Sequence, residues 1–375
     1  MVSNDYGLQF SGAQLRLARV YNGLALEDVA ERVDKTRQYL HKLETNHGAP
    51  TLDLMQKLGC VLGVTQEFFM SDHSTLVSDE QVHFRKLFTT RAMLKYVTIA
   101  RAELFARLVN YLDSELKLPD VRIPTADEVT SLGDIERVAE KCRAEWGLGL
   151  GPIEHMTRLA ENLGVMVTTF KGISTEIDAL SVAMKRPIIV RNEAKESACR
   201  QRFDVGHELA HFVLHGGRVT GDRPTETEAN RFASSLLIPR AMMVKLFPRP
   251  RSSRLDWAGL REFKLRWKMS KAAILYRARQ LELITDAQYK SGVITLRRTG
   301  EAIGEREDAL IAMERPELVQ RSFEVLAEQR GIFAPDVAIH LKITEDLLTG
   351  LVGFDLPTRG GLSGGLRRTM LRLVK

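Results

Sequence analysis

Apolar residues recur three and four positions apart through most of this chain, the spacing of one helix face, and alternate with a period of two only between Val165 and Arg191. Residues 8–69 are almost wholly helical in pattern. Leu15, Leu17 and Ala18 open an amphipathic helix with Arg16 and Arg19 on its wet side, and residues 26–33 form a second. A tight turn at Asp34 and Lys35 leads to Thr36, which caps a third helix over 37–44. Leu40 and Leu43 point inward there, leaving Arg37, Gln38, Tyr39 and Lys42 outside. Asn46, Gly48 and Pro50 break the chain before a fourth helix over 51–62, followed by Gly63-Val64-Thr65 and Phe68-Phe69.

Residues 71–125 keep a helical pattern through Phe84, Leu87, Phe88, Leu94, Val97, Leu104, Phe105, Leu108 and Leu112, closed by Pro119 and Pro124. They read as a long connector able to contribute to a dimer. Helical stretches over 133–146 and 152–163 precede three strands, at 165–170, 180–184 and 187–191, the last two joined through Lys185-Arg186. The fold class is mainly α with a small β-sheet (α+β). The expected units are a five-helix module over 1–75, the connector over 76–125, an α/β domain over 126–295 and a helical region over 296–375. In the last, Asp336 to Leu348 has a faint helix-turn-helix look, with a helical lid or dimer arm as the plainer reading. Gly360-Gly361-Leu362-Ser363-Gly364-Gly365 reads as a hinge before a basic tail.

The chemistry concentrates in Arg200 to His215, which contains His207-Glu208-Leu209-Ala210-His211. Four residues make about one helical turn, so the two imidazoles share a face and can grip one zinc ion, with Glu208 placed to take a proton from water. Val205, Leu209, Phe212 and Val213 supply the buried side of this helix, and Gly216-Gly217 ends it. A third ligand is sought on the next helix, where Glu226, Ala229, Asn230 and Ala233 share a face. The alanines allow close approach, so Glu226 is preferred over Glu228. His215 extends the ladder, but His207 and His215 lie ~12 Å apart along the axis, too far for one ion with bonds of about 2.0–2.1 Å. It reads as a supporting residue. The oxyanion-stabilising group is not evident, Tyr276 and His215 being the candidates.

Composition narrows the setting. The chain has 375 residues, 44% hydrophobic and 27% charged, with no apolar run of membrane length and no basic-then-apolar start. Cys60, Cys142 and Cys199 form no pair motif and read as reduced thiols, which suits a cytoplasmic protein. A net charge of +6 permits nucleic-acid binding. Residues 240–279 carry twelve Lys or Arg against Asp256 and Glu262 alone, by default a set of solvated helix faces, otherwise contacts to phosphate or an acidic partner.

The first sixty or so residues resemble the phage-repressor-like (Xre-type) helix-turn-helix family, through Leu15 and Arg19, Leu26, Val29-Ala30, Thr36, Leu40, Leu43-Glu44, Pro50, Leu58, Leu62-Gly63-Val64 and Phe69. The resemblance implies double-stranded DNA as partner, with Arg37, Gln38 and Lys42 on bases and Thr36 and Tyr39 nearer the backbone; exposed Arg and Gln are the side chains that pair with guanine and adenine edges. Asp34 stands where that family often has Gly. The stretch 200–215, the Glu226 to Pro239 helix, Leu265-Arg266-Trp267-Lys268-Met269-Ser270 with Ala273 and Tyr276-Arg277-Ala278, and the Val82-His83-Phe84-Arg85 connector resemble the ImmA/IrrE metallopeptidase family. That resemblance implies zinc held by His207, His211 and Glu226, Glu208 as the catalytic base, and cleavage of a repressor-like protein by a DNA-bound, homodimeric regulator. A transcription factor with a non-catalytic metal or ligand sensor, and an antitoxin-like repressor, are the alternatives. Gly206 replaces the alanine common before the motif.

Overall fold

The computed structural model describes residues 10–70, 77, 82–84, 92–126, 129–170, 179–192, 197–218, 220–251, 254–359 and 372–373. The expected continuation of the connector through Arg85, Leu87 and Phe88, and the glycine-rich segment 360–365, lie outside them. Five short helices come first: α1 (Gly12–Tyr21), α2 (Leu26–Arg32), α3 (Arg37–Glu44), α4 (Leu52–Leu62) and α5 (Gln66–Phe69). Thr36 and Thr51 cap α3 and α4 by accepting hydrogen bonds from the amides of Tyr39 and Leu54. Arg19 is not on the wet side of α1. It is 9% exposed, its guanidinium donates to both carboxylate oxygens of Glu44 at 2.6 and 2.9 Å and to Leu24 O, and the pair clamps α1 to α3. A period count places a residue on a face but cannot foresee a carboxylate from another helix meeting it.

The connector departs from an all-helical reading. Val82–Phe84 is a strand, β1, and the helix α6 (Ala92–Glu115) follows it. Residues 102–109 of α6 are buried on every side, packed among α1, α17 (Glu345–Val352) and the sheet. Inside this packing Arg107 donates to Glu103 at 3.0 Å and to Gln14 at 3.0 Å. A two-residue strand, β2 (Leu116–Lys117), ends α6, and after it come α7 (Leu132–Glu145) and α8 (Met156–Asn162).

The three expected strands are present as β3 (Met166–Phe170), β4 (Ala179–Val182) and β5 (Ile188–Asn192). The sheet order is β1-β4-β5-β3, with β3 parallel to β5 and the other pairs antiparallel. Side chains alternate across a sheet, so Met166, Leu180, Val182, Ile188 and Val190 join the core shared with α1–α6 and the C-terminal helices. Val165, Val167 and Ile189 join a second core beneath α9 (Ala198–Leu214) and α10 (Arg223–Leu237). The sheet is thus a two-faced layer between the N-terminal module and the helices that carry the histidines.

Helices α11 (Arg240–Leu246), α12 (Trp257–Trp267), α13 (Lys271–Gln280) and α14 (Asp286–Arg298) complete the second core; a 3₁₀ turn at Arg306–Leu310, α15 (Leu318–Arg330), α16 (Ala334–Leu341) and α17 follow. The basic run over 240–279 is partly structural. Lys264 bonds Glu305 at 2.7 Å, Lys271 meets Glu307 at 2.9 Å, and Arg277 grips Glu136 through both nitrogens at 3.1 and 3.0 Å, all three cations being buried. Arg231 shares Glu136 at 2.8 Å. Burial alone would raise the Glu136 carboxyl, yet the paired guanidiniums hold it below its ordinary value. Replacing Glu136 with Ala leaves two buried guanidiniums facing each other between α7, α10 and α13. The expected cost is ~3–5 kcal/mol, read as a lower urea midpoint with an unchanged slope.

Candidate metal centre

α9 is fully buried along residues 204–213 because it lies between the sheet and α10. Close approach is possible where side chains are small: a Cβ built on Gly206 would lie 3.5 Å from Cβ of Ala233 on α10, an ordinary contact. Alanine therefore fits at 206, and the departure from the family pattern there leaves the packing unstrained. α10 begins at Asp222, whose carboxylate accepts from the Thr225 amide, with Pro224 in the first turn. One turn in, Glu226 meets α9.

His207 Nε2 and His211 Nε2 lie 3.1 Å apart, and the two oxygens of Glu226 approach them at 3.3 and 3.4 Å. Ligands bonded at about 2.0–2.1 Å to a tetrahedral ion sit ~3.3–3.4 Å from one another; the two nitrogens are near that spacing, and one ligand atom from each of the three residues lies within 4.8 Å of the others. The outer partners decide which nitrogen faces inward. His207 Nδ1 is 3.1 Å from Asn230 Oδ1, an acceptor, so the ring proton resides there and Nε2 keeps its lone pair. His211 Nδ1 contacts His215 Nδ1 at 2.9 Å, and His215 Nε2 contacts Glu228 at 2.9 Å. A carboxylate accepts, so His215 donates to Glu228 and receives from His211, which leaves His211 Nε2 unprotonated. Two lone pairs and a carboxylate then converge in a buried site, an arrangement that calls for a cation.

The charge states agree. Burial lowers His211 to about 4, holding the ring neutral. For Glu226, burial would raise the carboxyl; the two facing histidines bring it to about 2 only while their Nε2 atoms carry protons, the positions that a bound cation would take instead. Among the described residues this trio is the one group of three His, Cys, Asp or Glu side chains that could hold a metal. Glu228 stands one step out, against His215. Glu208 is 1% exposed, and its Oε2 accepts from Ser181 Oγ on β4 at 2.5 Å. Ser181 belongs to no sequence motif; its one signal is the alternation that turns it to the same face as Ala179. Tyr276 is 40% exposed and packs on Tyr289 with ring centroids 6.2 Å apart, so it lies outside this cluster.

The outer edge of β4, where an extended peptide could pair beside Glu208, is taken by β1. Val82, His83 and Phe84 stand opposite Val182, Ser181 and Leu180.

In the N-terminal module Thr36, Arg37, Gln38 and Lys42 are exposed along α3, and Tyr39 is half-buried against the core. Asp34 has φ 51°, the left-handed region that glycine occupies most easily, which accounts for the family's preference at that turn. His41, one turn beyond Arg37, is exposed beside Lys42; its spacing of four was the available signal. Arg37 pairs with Glu27 at 2.6 Å, both more than half exposed. Such a pair is worth ~0–1 kcal/mol, little hindrance to a competing phosphate.

Residues 160–279 match the peptidase M78 model, described as the IrrE N-terminal-like domain. Residues 15–68 match the family model described as Helix-turn-helix. None of the curated proteins matches the chain. A solved structure, Bacillus thuringiensis PlcR in complex with the peptide PapR7 and DNA, is similar over 92% of this chain and 96% of that one at 14% identity, with a TM-score of 0.15, too low to inform the fold or its ligands. The chain joins an Xre-type helix-turn-helix to an IrrE/ImmA-like domain, and no helix among the described residues is long and apolar enough to cross a membrane.

The two glutamates separate by experiment. Glu226→Gln is expected to abolish stoichiometric zinc binding. Glu228→Gln is expected to weaken it by about 10–100-fold, as for a residue that orients a ligand. Calorimetric titration with zinc checks both, and a greater loss with Glu228→Gln than with Glu226→Gln would reverse the assignment of roles.

Proposed function

We propose that this transcription regulator reads DNA with α3 and signals through zinc-dependent proteolysis of a repressor-like protein. The observation that carries the reading is the convergence of His207 Nε2, His211 Nε2 and the Glu226 carboxylate, with Glu208 next to His207 in the chain. Zinc bound there supplies Lewis acidity, polarising a peptide carbonyl and making water a better acid. Glu208 accepts a proton and returns it to the leaving amine, a step worth ~10²–10⁴-fold. Ser181 holds the Glu208 carboxylate toward the sheet, and β4 offers main-chain groups to an extended substrate. Because β1 pairs with that edge, substrate entry requires the connector to give way, so the step that frees the peptidase also disturbs the segment leading from the DNA-binding module.

A non-catalytic metal sensor is the second reading, favoured by the burial of His207, Glu208 and His211, none more than 1% exposed. Glu208→Gln distinguishes the two. Zinc and DNA binding are expected to persist while cleavage of a co-encoded repressor is lost. Full regulatory output from that variant in cells would leave sensing as the function.

DNA reading is tested on the same protein. Replacing Arg37 and Gln38 together with Ala should cost ~1–3 kcal/mol for each base contact removed, measured on fragments selected from random DNA. Unchanged footprints would remove α3 as the reading helix.

A further inference from the structure

A short motif occurs twice in this chain. Residues 62–69 read Leu-Gly-Val-Thr-Gln-Glu-Phe-Phe, and residues 341–348 read Leu-Lys-Ile-Thr-Glu-Asp-Leu-Leu. The local structures correspond residue by residue. α4 ends in Gly63 at φ 72° and α16 in Lys342 at φ 59°, both left-handed. The Val64 amide donates to Gly59 O at 3.0 Å, as Ile343 does to Ala338 O at 3.0 Å. Thr65 and Thr344 then stand at the N-caps of α5 and α17.

The two copies also face each other. Val64 and Ile343, the equivalent residues, form an antiparallel bridge. The Thr65 amide donates to Lys342 O at 2.9 Å, and the Thr344 amide donates to Gly63 O at 2.9 Å. Exchanging the copies turns one bond into the other, so a local two-fold axis passes between Val64 and Ile343. The contact is buried: Val64 is 4% exposed, Ile343 3%, and Phe68, Phe69 and Leu348 are fully enclosed in one core. A Cβ on Gly63 would come within 3.3 Å of the side chains of Leu347 and Thr344, so α17 closes over Gly63 with little room for a side chain there.

Two copies of one segment related by a two-fold axis are the hallmark of an isologous interface, in which a patch recognises itself. We propose that the α4–α5 turn is a self-pairing edge of the helix-turn-helix module, that α16–α17 fills it within the chain as a built-in copy, and that displacing α16–α17 lets the modules of two chains pair through Val64. On this account the C-terminal helix pair sets whether the DNA-reading modules associate through this edge, independently of any peptidase activity.

Cross-linking of the full-length chain tests it, in a Cys60→Ser background that leaves Cys142 and Cys199 buried. The bridge is of the non-hydrogen-bonded kind, with Cα atoms ~4.5 Å apart, within disulfide range. Val64→Cys with Ile343→Cys should therefore oxidise to an intramolecular disulfide. Val64→Cys alone should give no covalent dimer, because Ile343 covers it. Adding Ile343→Asp and Leu347→Asp should make the 64–64 cross-linked dimer the main species, and the milder Ile343→Ala should give an intermediate yield. The proposal is overturned if the double cysteine variant stays reduced, if Val64→Cys dimerises as readily with the C-terminal pair intact, or if neither release variant cross-links while its helical signal is retained.

Discussion

Everything at the candidate centre depends on where two protons sit on two imidazoles. Asn230 draws the His207 proton to Nδ1, and the relay from Glu228 through His215 draws the His211 proton to Nδ1. Both Nε2 lone pairs then face Glu226, and the trio becomes a site instead of a hydrogen-bonded cluster. Without those outer partners each ring could donate inward, and the three side chains would satisfy one another without any ion. The outer groups come from α10 and from one turn further along α9, so the close packing of these two helices is a precondition of the chemistry.

That packing is maintained from a distance. Glu136 on α7 holds Arg231 on α10 and Arg277 on α13, while Arg277 Nε donates to Ile238 O at the end of α10. Glu314, which sits after the last helix of the expected peptidase unit, accepts from the amides of Met156 and Thr157 and pairs with Arg202 on α9. Segment 301–314 therefore belongs mechanically to the histidine-bearing helices, although its sequence pattern ties it to the C-terminal region. Glu161 extends the same connection by accepting from the amides of Glu317 and Leu318 at 2.8 and 2.9 Å.

The helices and the metal motif were legible in the sequence because their signals are local. The spacing of His207 and His211, the Thr cap at 36, and the alternation around Val167 and Ile189 depend on neighbours a few residues away. What escaped has non-local causes. β1 is three residues long, and Val82 and Phe84 fit the start of a helical stripe as well as a strand; only pairing with residues nearly a hundred positions later makes it β. Arg19 fell on the polar side of its helix until Glu44 supplied a partner. Lys264, Lys271 and Arg277 looked like part of a basic surface because their carboxylates come from residues 136 and 301–307. Ser181 had no chemical signature until β4 was laid against α9.

Coupling between the DNA-reading module and the peptidase-family domain follows from how unevenly their junction is held. α6 is buried all round and shares its core with α1, α17 and one face of the sheet, so the two units cannot turn freely about it. The opposite face of that sheet carries Ser181 against Glu208. Between them, β1 is held to the sheet along one edge by the pairing of three residues. Short edge strands belong to the low-stability end of a structure and open locally before a packed core does. A disturbance that the rigid α6 junction cannot absorb would therefore fall first on β1, the segment that covers the edge of β4. The same geometry would give binding at that edge a route back to the N-terminal helices, since a peptide that replaces β1 removes one anchor of the segment between α5 and α6, Val77 being held separately through its amide to Glu103.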